Sequence, residues 1–449
     1  MLLFLAEWLD KRTIRLMNSL RQAEIPFCST VIQYEGFWSS EHWNPFIYYT
    51  GFRGYSGRGR YFNEIHVSPL DEIRHISASH AHILRGDTTV GVIHYYPEMN
   101  RLVKQVDWLN KQGKKIVSDC YSLEGFHYCK ITFNEQGQEE TKTWINSQGE
   151  ACIWQDAKSQ HILLKKENTL SLFSNLTEFV TFFLEELIKE KKLPQFDRCV
   201  INHLGTPLFT AKRLSQFPTT IFWQETSVNG LPGNMKMEIE NPTAIDTIIF
   251  EEQAELDLVK QTYPDKEKRK AGFYYLSPLE RFSRVSHFRK RALTLTYSDS
   301  IHQVDMLTKM LPDVRWTIAA PTDVSTKLRS LERKYDQITV LDWVTKEEVE
   351  ELLETHDIYF DFNDGREVND CVYKAYLNQH LIFTLEKTKK NPRYEYVLNE
   401  GEAATESIKK KITDESCWRD SLKELHEKNG PRSCEEDYQA LLNRSKIQI

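Results

Sequence analysis

The sequence predicts an α/β protein with two doubly wound parallel-sheet domains and an antiparallel β-sheet domain inserted into the first. Three observations carry that expectation. At 449 residues the chain is too long for one ordinary hydrophobic core, so two or three domains are expected. Apolar strand-like runs alternate with helical segments in two separate stretches, the rhythm of parallel sheets with crossover helices. From about Arg60 to Lys166 that rhythm gives way to short alternating runs separated by turn signals. The resulting domain limits are 1–59 with 167–285, an inserted 60–166, 286–425, and a tail at 426–449.

Residues 6–22 place Leu9, Ile14, Leu16 and Leu20 at helical spacing, and strand-like runs follow at Cys28–Tyr34 and Phe46–Tyr49. In the insertion, Phe126–Phe133 ends at Asn134-Glu135-Gln136-Gly137, and Gln138–Ile145 ends at Asn146-Ser147-Gln148-Gly149. Ala151–Trp154 and His161–Leu164 continue the pattern of an antiparallel meander. Helical spacing returns at Asn175, an N-cap with Glu178 three residues on. Phe179, Val180, Phe183, Leu187 and Ile188 share one face; the opposite face is mostly acidic, which favours a core-facing helix over a membrane-surface one. Strands at Arg198–Asn202, Thr219–Trp223, Ile245–Phe250 and Gly272–Leu276 alternate with helices. Basic residues crowd Arg284–Arg291, read as an interdomain linker. A second α/β unit then runs from the strand Ala292–Tyr297 to the strand Leu381–Thr384, and the segment after Arg393 is polar and helical.

Hydrophobic residues at 40% and charged residues at 27% are the balance of a soluble globular chain. A net charge of −7 with interspersed signs argues against nucleic acid, whose affinity rests on basic patches. Eight cysteines without a C-x-x-C pair indicate reduced thiols rather than zinc or a disulfide framework. The apolar start, Met1–Trp8, is too short for a signal peptide or a membrane span, so any membrane contact is peripheral. No cofactor is indicated.

Two doubly wound domains place ligands outside their strand carboxyl ends, a geometry that many functions share. His80 and His82 alternate onto one face, as metal ligands require, and His75 is near, but no third ligand stands at a matching spacing. They read as polar surface of the β domain, with no metal. Gly51, Gly54, Gly57 and Gly59 lack a G-x-G-x-x-G or G-K-[ST] pattern and read as a loop into the insertion, with a phosphate cradle as the alternative.

The stretch 292–385 resembles the donor-binding domain of GT-B glycosyltransferases, making the whole GT-B-like with two Rossmann-type domains. Such enzymes hold a nucleotide-sugar with a basic pair and a late E-x7-E carboxylate pair. Here Asp299 stands near the expected diphosphate, and the carboxylate positions fall on Arg366 and Lys374; shifting the register to Glu367 pairs it with Ala375. A lysine cannot accept hydrogen bonds from ribose hydroxyls, so these are substituted donor positions and no catalytic residue is assigned.

Several further stretches resemble one family: Tyr61-Phe62-Asn63-Glu64-Ile65, Val106-Asp107-Trp108, Ser118-Asp119-Cys120-Tyr121 with Gly125, Ile201-Asn202-His203-Leu204 with Thr206-Pro207, and Phe222-Trp223-Gln224-Glu225 with Pro232-Gly233-Asn234-Met235. The family is the glycosyltransferase-stabilising subunit of the accessory Sec system of Gram-positive bacteria. The resemblance implies a non-catalytic chaperone and acceptor-binding half, paired with a catalytic sister subunit of the same fold. It implies that the pair adds the first N-acetylglucosamine from UDP-GlcNAc to Ser/Thr of serine-rich repeat adhesins, in the cytoplasm and peripherally at the cell membrane. An antiparallel sheet with aromatic side chains suits an extended acceptor, which makes Tyr121, Phe126, Tyr128, Trp144 and Trp154 acceptor-binding candidates. Packing of the sheet on its neighbour is the alternative for each. The competing functions are an active retaining glycosyltransferase and a peptide- or carbohydrate-binding module unconnected with transfer.

Overall fold

A computed structural model describes residues 1–37, 39–77, 79–97, 99, 101–225, 230–241, 245–264 and 271–442. The chain divides into two compact units. One holds Met1–Glu251, Glu255–Leu276 and a segment beginning at Glu435; the other holds Glu252–Ala254 and Ser277–Cys434.

In the first unit the apolar N-terminal run becomes β1 (Leu2–Ala6), fully buried at the middle of a parallel sheet. Central parallel strands are covered on both faces and so read as continuous apolar runs without alternation, which disguises them. Next come α1 (Lys11–Gln22), β2 (Phe27–Val31), β3 (His42–Trp43) and α2 (Pro45–Thr50). The expected strand at Phe46–Tyr49 is therefore a helix. Its termini explain why: Asn44 Oδ1 accepts from Ile47 N at 3.0 Å, Pro45 occupies the first turn, and Gly51 closes it at φ 74°.

The insertion is a ten-stranded antiparallel sheet from β4 (Glu72–Ser77) to β13 (Thr169–Phe173), in which neighbours in sequence are neighbours in space. Its hairpins repeat one local device. In Asn110–Gly113, Asn134–Gly137 and Asn146–Gly149 the asparagine side chain accepts the two backbone N–H groups that close the turn, and the glycine takes positive φ. Gly57 and Gly59 serve close packing: a Cβ at Gly57 would lie 2.4 Å from the Glu124 carbonyl oxygen, and one at Gly59 2.9 Å from that of Leu123. The strand closest to the next helix ends at Phe173, past the expected limit at 166.

The sheet and the α/β portion share a core. Trp144 stacks on Phe46 of α2 at 4.1 Å between centroids, Phe126 on Phe52 at 3.6 Å, and Tyr128 meets Tyr34 edge-on at 4.7 Å. Phe179, from α3 (Leu176–Lys189), closes the cluster. Asn175 caps α3 by accepting from Glu178 N at 3.0 Å, while Glu178 accepts from Ser174 N at 2.8 Å. The unit continues through β14 (Arg198–Ile201), α4 (Thr206–Arg213), β15 (Thr219–Trp223), α5 (Gly233–Glu240), β16 (Ile245–Phe250), α6 (Gln253–Thr262) and β17 (Gly272–Tyr275). Its sheet order is β17-β16-β15-β14-β1-β2-β3, all parallel.

The second unit contains β18 (Arg291–Leu295), α7 (Val304–Met310), β19 (Arg315–Ala319), α8 (Thr326–Lys334), β20 (Ile338–Leu341), α9 (Lys346–Thr355), β21 (Ile358–Asp361), α10 (Cys371–Leu377), β22 (Leu381–Leu385) and β23 (Tyr396–Leu398). These strands form a parallel sheet in the order β20-β19-β18-β21-β22-β23. The sixth strand lies where the sequence reads as polar and helical. The basic stretch before β18 is latched to this unit, since Arg284 and Arg289 each reach the buried carboxylate of Asp357 at 2.7 Å. Two helices follow, α11 (Glu402–Lys411) and α12 (Glu415–Glu427); the latter runs past the expected limit at 425. The tail then yields α13 (Glu435–Leu442), which packs in the first unit: Tyr438 is fully buried beside Phe222, and Gln439 Nε2 donates to the Ala23 carbonyl at 3.0 Å. Among the described residues no helix is long and apolar enough to cross a membrane.

Trp144→Ala should destabilise the first unit by about 3–5 kcal/mol, because it opens a cavity where the sheet meets α2. Trp144→Phe should cost clearly less. Thermal unfolding followed by circular dichroism checks both, and equal melting of Trp144→Ala and the parent chain would show that the Trp144–Phe46 stack does not stabilise the unit.

Candidate functional site

Open α/β sheets bind ligands outside the strand carboxyl ends, where the strand order reverses. In the second unit that point lies between β18 and β21, and the two loops there are joined to each other. Ile301 and Asn363 form an antiparallel bridge, His302 N donates to the Phe362 carbonyl at 2.8 Å, and Asp364 N donates to the Ser300 carbonyl at 3.0 Å. His302 Nε2 and Asp364 Oδ1 meet at 2.7 Å. The N–H groups of Ser298 and Ser300, placed where a diphosphate would seek donors, are taken by the hydroxyls of Thr296 at 2.8 Å and Ser298 at 3.1 Å.

The residues singled out from sequence sit around this closure. Asp299 is exposed on the loop after β18. Arg366 lies over the Tyr297 ring at 4.6 Å. Lys374, on α10, pairs with Glu350 of α9 at 2.5 Å. Glu367 accepts from Val372 N at 2.9 Å at the start of α10, and Ala375 is buried. Neither register therefore sets two carboxylates toward a ribose.

Behind the closure lies a buried polar cluster that sequence reasoning missed. Lys390 pairs with Asp361 and donates to the Asn363 carbonyl at 3.2 Å; Asn391 N donates to Glu395 Oε2 at 3.1 Å. Asp361 Oδ2 and Glu395 Oε1 receive no donor from the protein, and a proton held between the two carboxyls satisfies both. Desolvation, then the neighbouring Asp361 charge, pushes the Glu395 carboxyl up to about 8, and desolvation also raises Asp361 against the opposing pull of Lys390. The signal in the sequence is faint: two acidic residues 34 apart, each beside an apolar strand.

In the first unit the order reverses between β1 and β14. Here Glu7, almost fully buried, accepts from Thr206 N at 3.1 Å, Thr206 Oγ1 at 3.3 Å and Gln33 Nε2 at 2.9 Å. Its carboxylate occupies the start of α4, the position a phosphate would take. One strand over, outside the ends of β1 and β2, a cavity of about 280 Å³ remains open.

The acceptor candidates on the inserted sheet are mostly core. Tyr121, Phe126, Tyr128 and Trp144 are buried, the last three in the seam with α2, so they offer no platform to an extended chain. Trp154 alone is half-buried, in a cross-strand row with Leu163 and Leu172. The correction has a plain cause: Phe126, Tyr128 and Trp144 are covered by Phe46, Phe52 and Phe179, while Tyr121 packs with Ile65, Ala81 and Tyr95, and period-2 alternation cannot report such coverage. His80 and His82 do share a face, with ring centroids 5.4 Å apart, but His80 Nδ1 is engaged by Ser77 and Ser79 hydroxyls at 2.9 and 3.1 Å, and His75 stacks on Tyr95. Among the described residues no group of three His, Cys, Asp or Glu side chains is placed to hold a metal.

Family models match most of this architecture: the GtfB middle domain over residues 71–174, the GtfB third domain over 176–261, and the GftB/GlyA-F C-terminal domain over 292–424. The chain belongs to the GtfB family. Among similar relatives is the UDP-N-acetylglucosamine–peptide N-acetylglucosaminyltransferase stabilizing protein GtfB of Streptococcus pneumoniae, 29% identical over 421 residues and 91% of each chain. The protein of the same name from Streptococcus agalactiae is 26% identical over 396 residues and 87% of each chain. A chain of a GtfA/B complex crystallised with UDP and GlcNAc matches with a TM-score of 0.88 and 26% identity, covering 98% of this chain and 99% of that one. The pneumococcal O-GlcNAc transferase GtfA shares the fold at a TM-score of 0.59 and 11% identity, over 100% and 99% of the two chains. The fold is that of the GT-B glycosyltransferases.

The carboxyl pair makes stability depend on pH. A carboxyl raised in the folded state stabilises fully below its unfolded value of 4.5, and that contribution is lost as pH rises through about 8. The parent chain should lose on the order of 4 kcal/mol across this window relative to Glu395→Gln, which stays neutral throughout. Denaturant titrations at pH 5 and pH 8.5 check this, and parallel losses in both proteins would place the proton elsewhere.

Proposed function

We propose that this chain is the non-catalytic stabilising and acceptor-binding half of a heteromeric O-GlcNAc transferase. Its partner would be a catalytic sister subunit of the same fold, and the pair would add the first N-acetylglucosamine from UDP-GlcNAc to Ser/Thr of serine-rich repeat adhesins exported by the accessory Sec system. Family membership supports the pairing, since the curated relatives are named as stabilizing proteins of such a transferase. The observation that carries the non-catalytic part is the bridged crevice of the second sheet, where the Ile301–Asn363 pairing stands in place of ligand and Arg366 and Lys374 stand where carboxylates would grip ribose. Reopening it would break paired backbone groups as well as the His302–Asp364 contact. The same reading puts the pair in the cytoplasm, peripherally on the inner face of the cell membrane.

Two outcomes are expected. The isolated chain should release no UDP from UDP-GlcNAc above the buffer rate; turnover that survives purification and is abolished by Lys374→Ala would overturn the non-catalytic reading. With both subunits at a few hundred times Kd, the transferase partner should gain about 3–4 kcal/mol and melt several degrees higher. An unchanged partner melting temperature under those conditions would overturn the stabilising one.

A further inference from the structure

With four of the five aromatic candidates buried, three of them in the seam with α2, the acceptor needs another surface, and the first unit has one. The open cavity outside β1 and β2 is walled by Trp8 and Phe37, which remain 42% and 54% exposed. Large aromatic side chains left this open beside a concavity are unusual for groups whose burial is favourable.

The cavity is rigidly framed. The β1–β2 ladder continues beyond the strands, with Ile32 N donating to the Ala6 carbonyl and Gln33 N to the Glu7 carbonyl, both at 2.9 Å. The buried Asn44 amide holds the carbonyls of Val31, Ile32 and Gln33 at 2.8, 3.2 and 3.2 Å. On the other side Asp10 caps α1, accepting from Thr13 N at 2.8 Å, which positions the turn that carries Trp8. The floor at Val31 and Gln33 and the wall that carries Trp8 therefore stand on hydrogen-bonded backbone and need little ordering when a ligand enters.

Its chemistry selects a class of ligand. Asp10, Gln33 and Glu35 supply oxygen acceptors, and no lysine or arginine lines the cavity among the described residues. His42 adds no cation near neutral pH: its Nδ1 meets the Ser29 hydroxyl at 2.7 Å, and burial pushes its pKa down. The adjacent start of α4, which would otherwise attract an anion, is filled by Glu7. A phosphate or acidic chain is repelled. What fits is a narrow chain without acidic groups that offers N–H and O–H donors to the carboxylates and small apolar groups to the two rings. At about 280 Å³ the space takes roughly two or three small residues.

We propose that this groove between Trp8 and Phe37 binds the hydroxyl-bearing acceptor polypeptide in its unphosphorylated form. The inference rests on the acceptor-binding role proposed above and adds where, and by what chemistry, the acceptor is held.

The test uses the full chain and a fluorescein-labelled Ser/Thr-rich peptide without acidic residues, followed by fluorescence anisotropy. Trp8→Ala and Phe37→Ala should each weaken binding about 5- to 30-fold, as for aromatic anchors. Glu35→Gln should weaken it several-fold, and the same peptide carrying phosphoserines should bind at least about tenfold less tightly than the plain one. Circular-dichroism melts accompany each variant; should Trp8→Ala melt early, the more exposed Phe37→Ala decides. Equal affinity in parent and Phe37→Ala overturns the proposal, as does equal affinity for plain and phosphorylated peptide. Displacement of the peptide by millimolar free N-acetylglucosamine would reassign the groove to a saccharide and overturn it too. The melting of the transferase partner is read separately with the same variants. A chain that raises that melting temperature yet binds no peptide defeats the groove and leaves the stabilising role standing, whereas loss of both defeats the role itself.

Discussion

The seam between the inserted sheet and α2 is the constraint on which the first unit is organised. A ten-stranded antiparallel sheet has two faces, and it gains stability only where something apolar covers one. Here the cover is Phe46 against Trp144, with Tyr34, Phe52 and Phe179 around them. The insertion is thus continuous with the core of the domain it interrupts. Replacing it by a linker would uncover Phe46, Ile47, Phe52 and Phe179 together, so the sheet is not a detachable module.

Against that frame the two sheets treat their ligand crevices differently. In the second unit backbone pairing bridges the loops after β18 and β21, and two buried carboxyls, Asp361 and Glu395, lie just behind. In the first unit a carboxylate from the chain itself satisfies the donors at the start of α4. Both devices use backbone groups at the strand carboxyl ends, where open α/β sheets bind ligands, and both leave those groups hydrogen-bonded, as buried polar groups must be. The fold of a transferase is retained while the two positions most hospitable to phosphate are internally occupied. The open groove of the first unit is acidic and aromatic, the opposite of a phosphate site.

How much of this was legible depended on the range of the interaction involved. The Asn-x-x-Gly hairpins and the Asn175–Glu178 cap are local devices, complete within five residues, and the sequence shows them directly. The helix at Pro45–Thr50 carried equally local signals, Asn44, Pro45 and Gly51, which outweigh the β-forming character of Phe-Ile-Tyr-Tyr. The strand at Leu2–Ala6 was obscured because a fully covered strand has no polar alternation, and Tyr396–Leu398 because three residues carry no period. Arg366 and Lys374 were visible as basic residue types; their partners, Tyr297 and Glu350, were not.

The sequence alone carries the resemblance to the family, the alternation that makes two parallel sheets and a meander, and the basic residues at Arg366 and Lys374. Each of these is a matter of residue identity and short spacing. Only the tertiary structure decided which aromatics are free. Trp144 and Trp154 sit ten residues apart on neighbouring strands, yet one is sealed under Phe46 and the other is half open. Only the tertiary structure showed that Glu7 reaches Thr206, and that Asp361 shares its surroundings with Glu395. Coverage and long-range pairing are properties of what lies opposite a side chain, and a linear pattern records only which side chain is there.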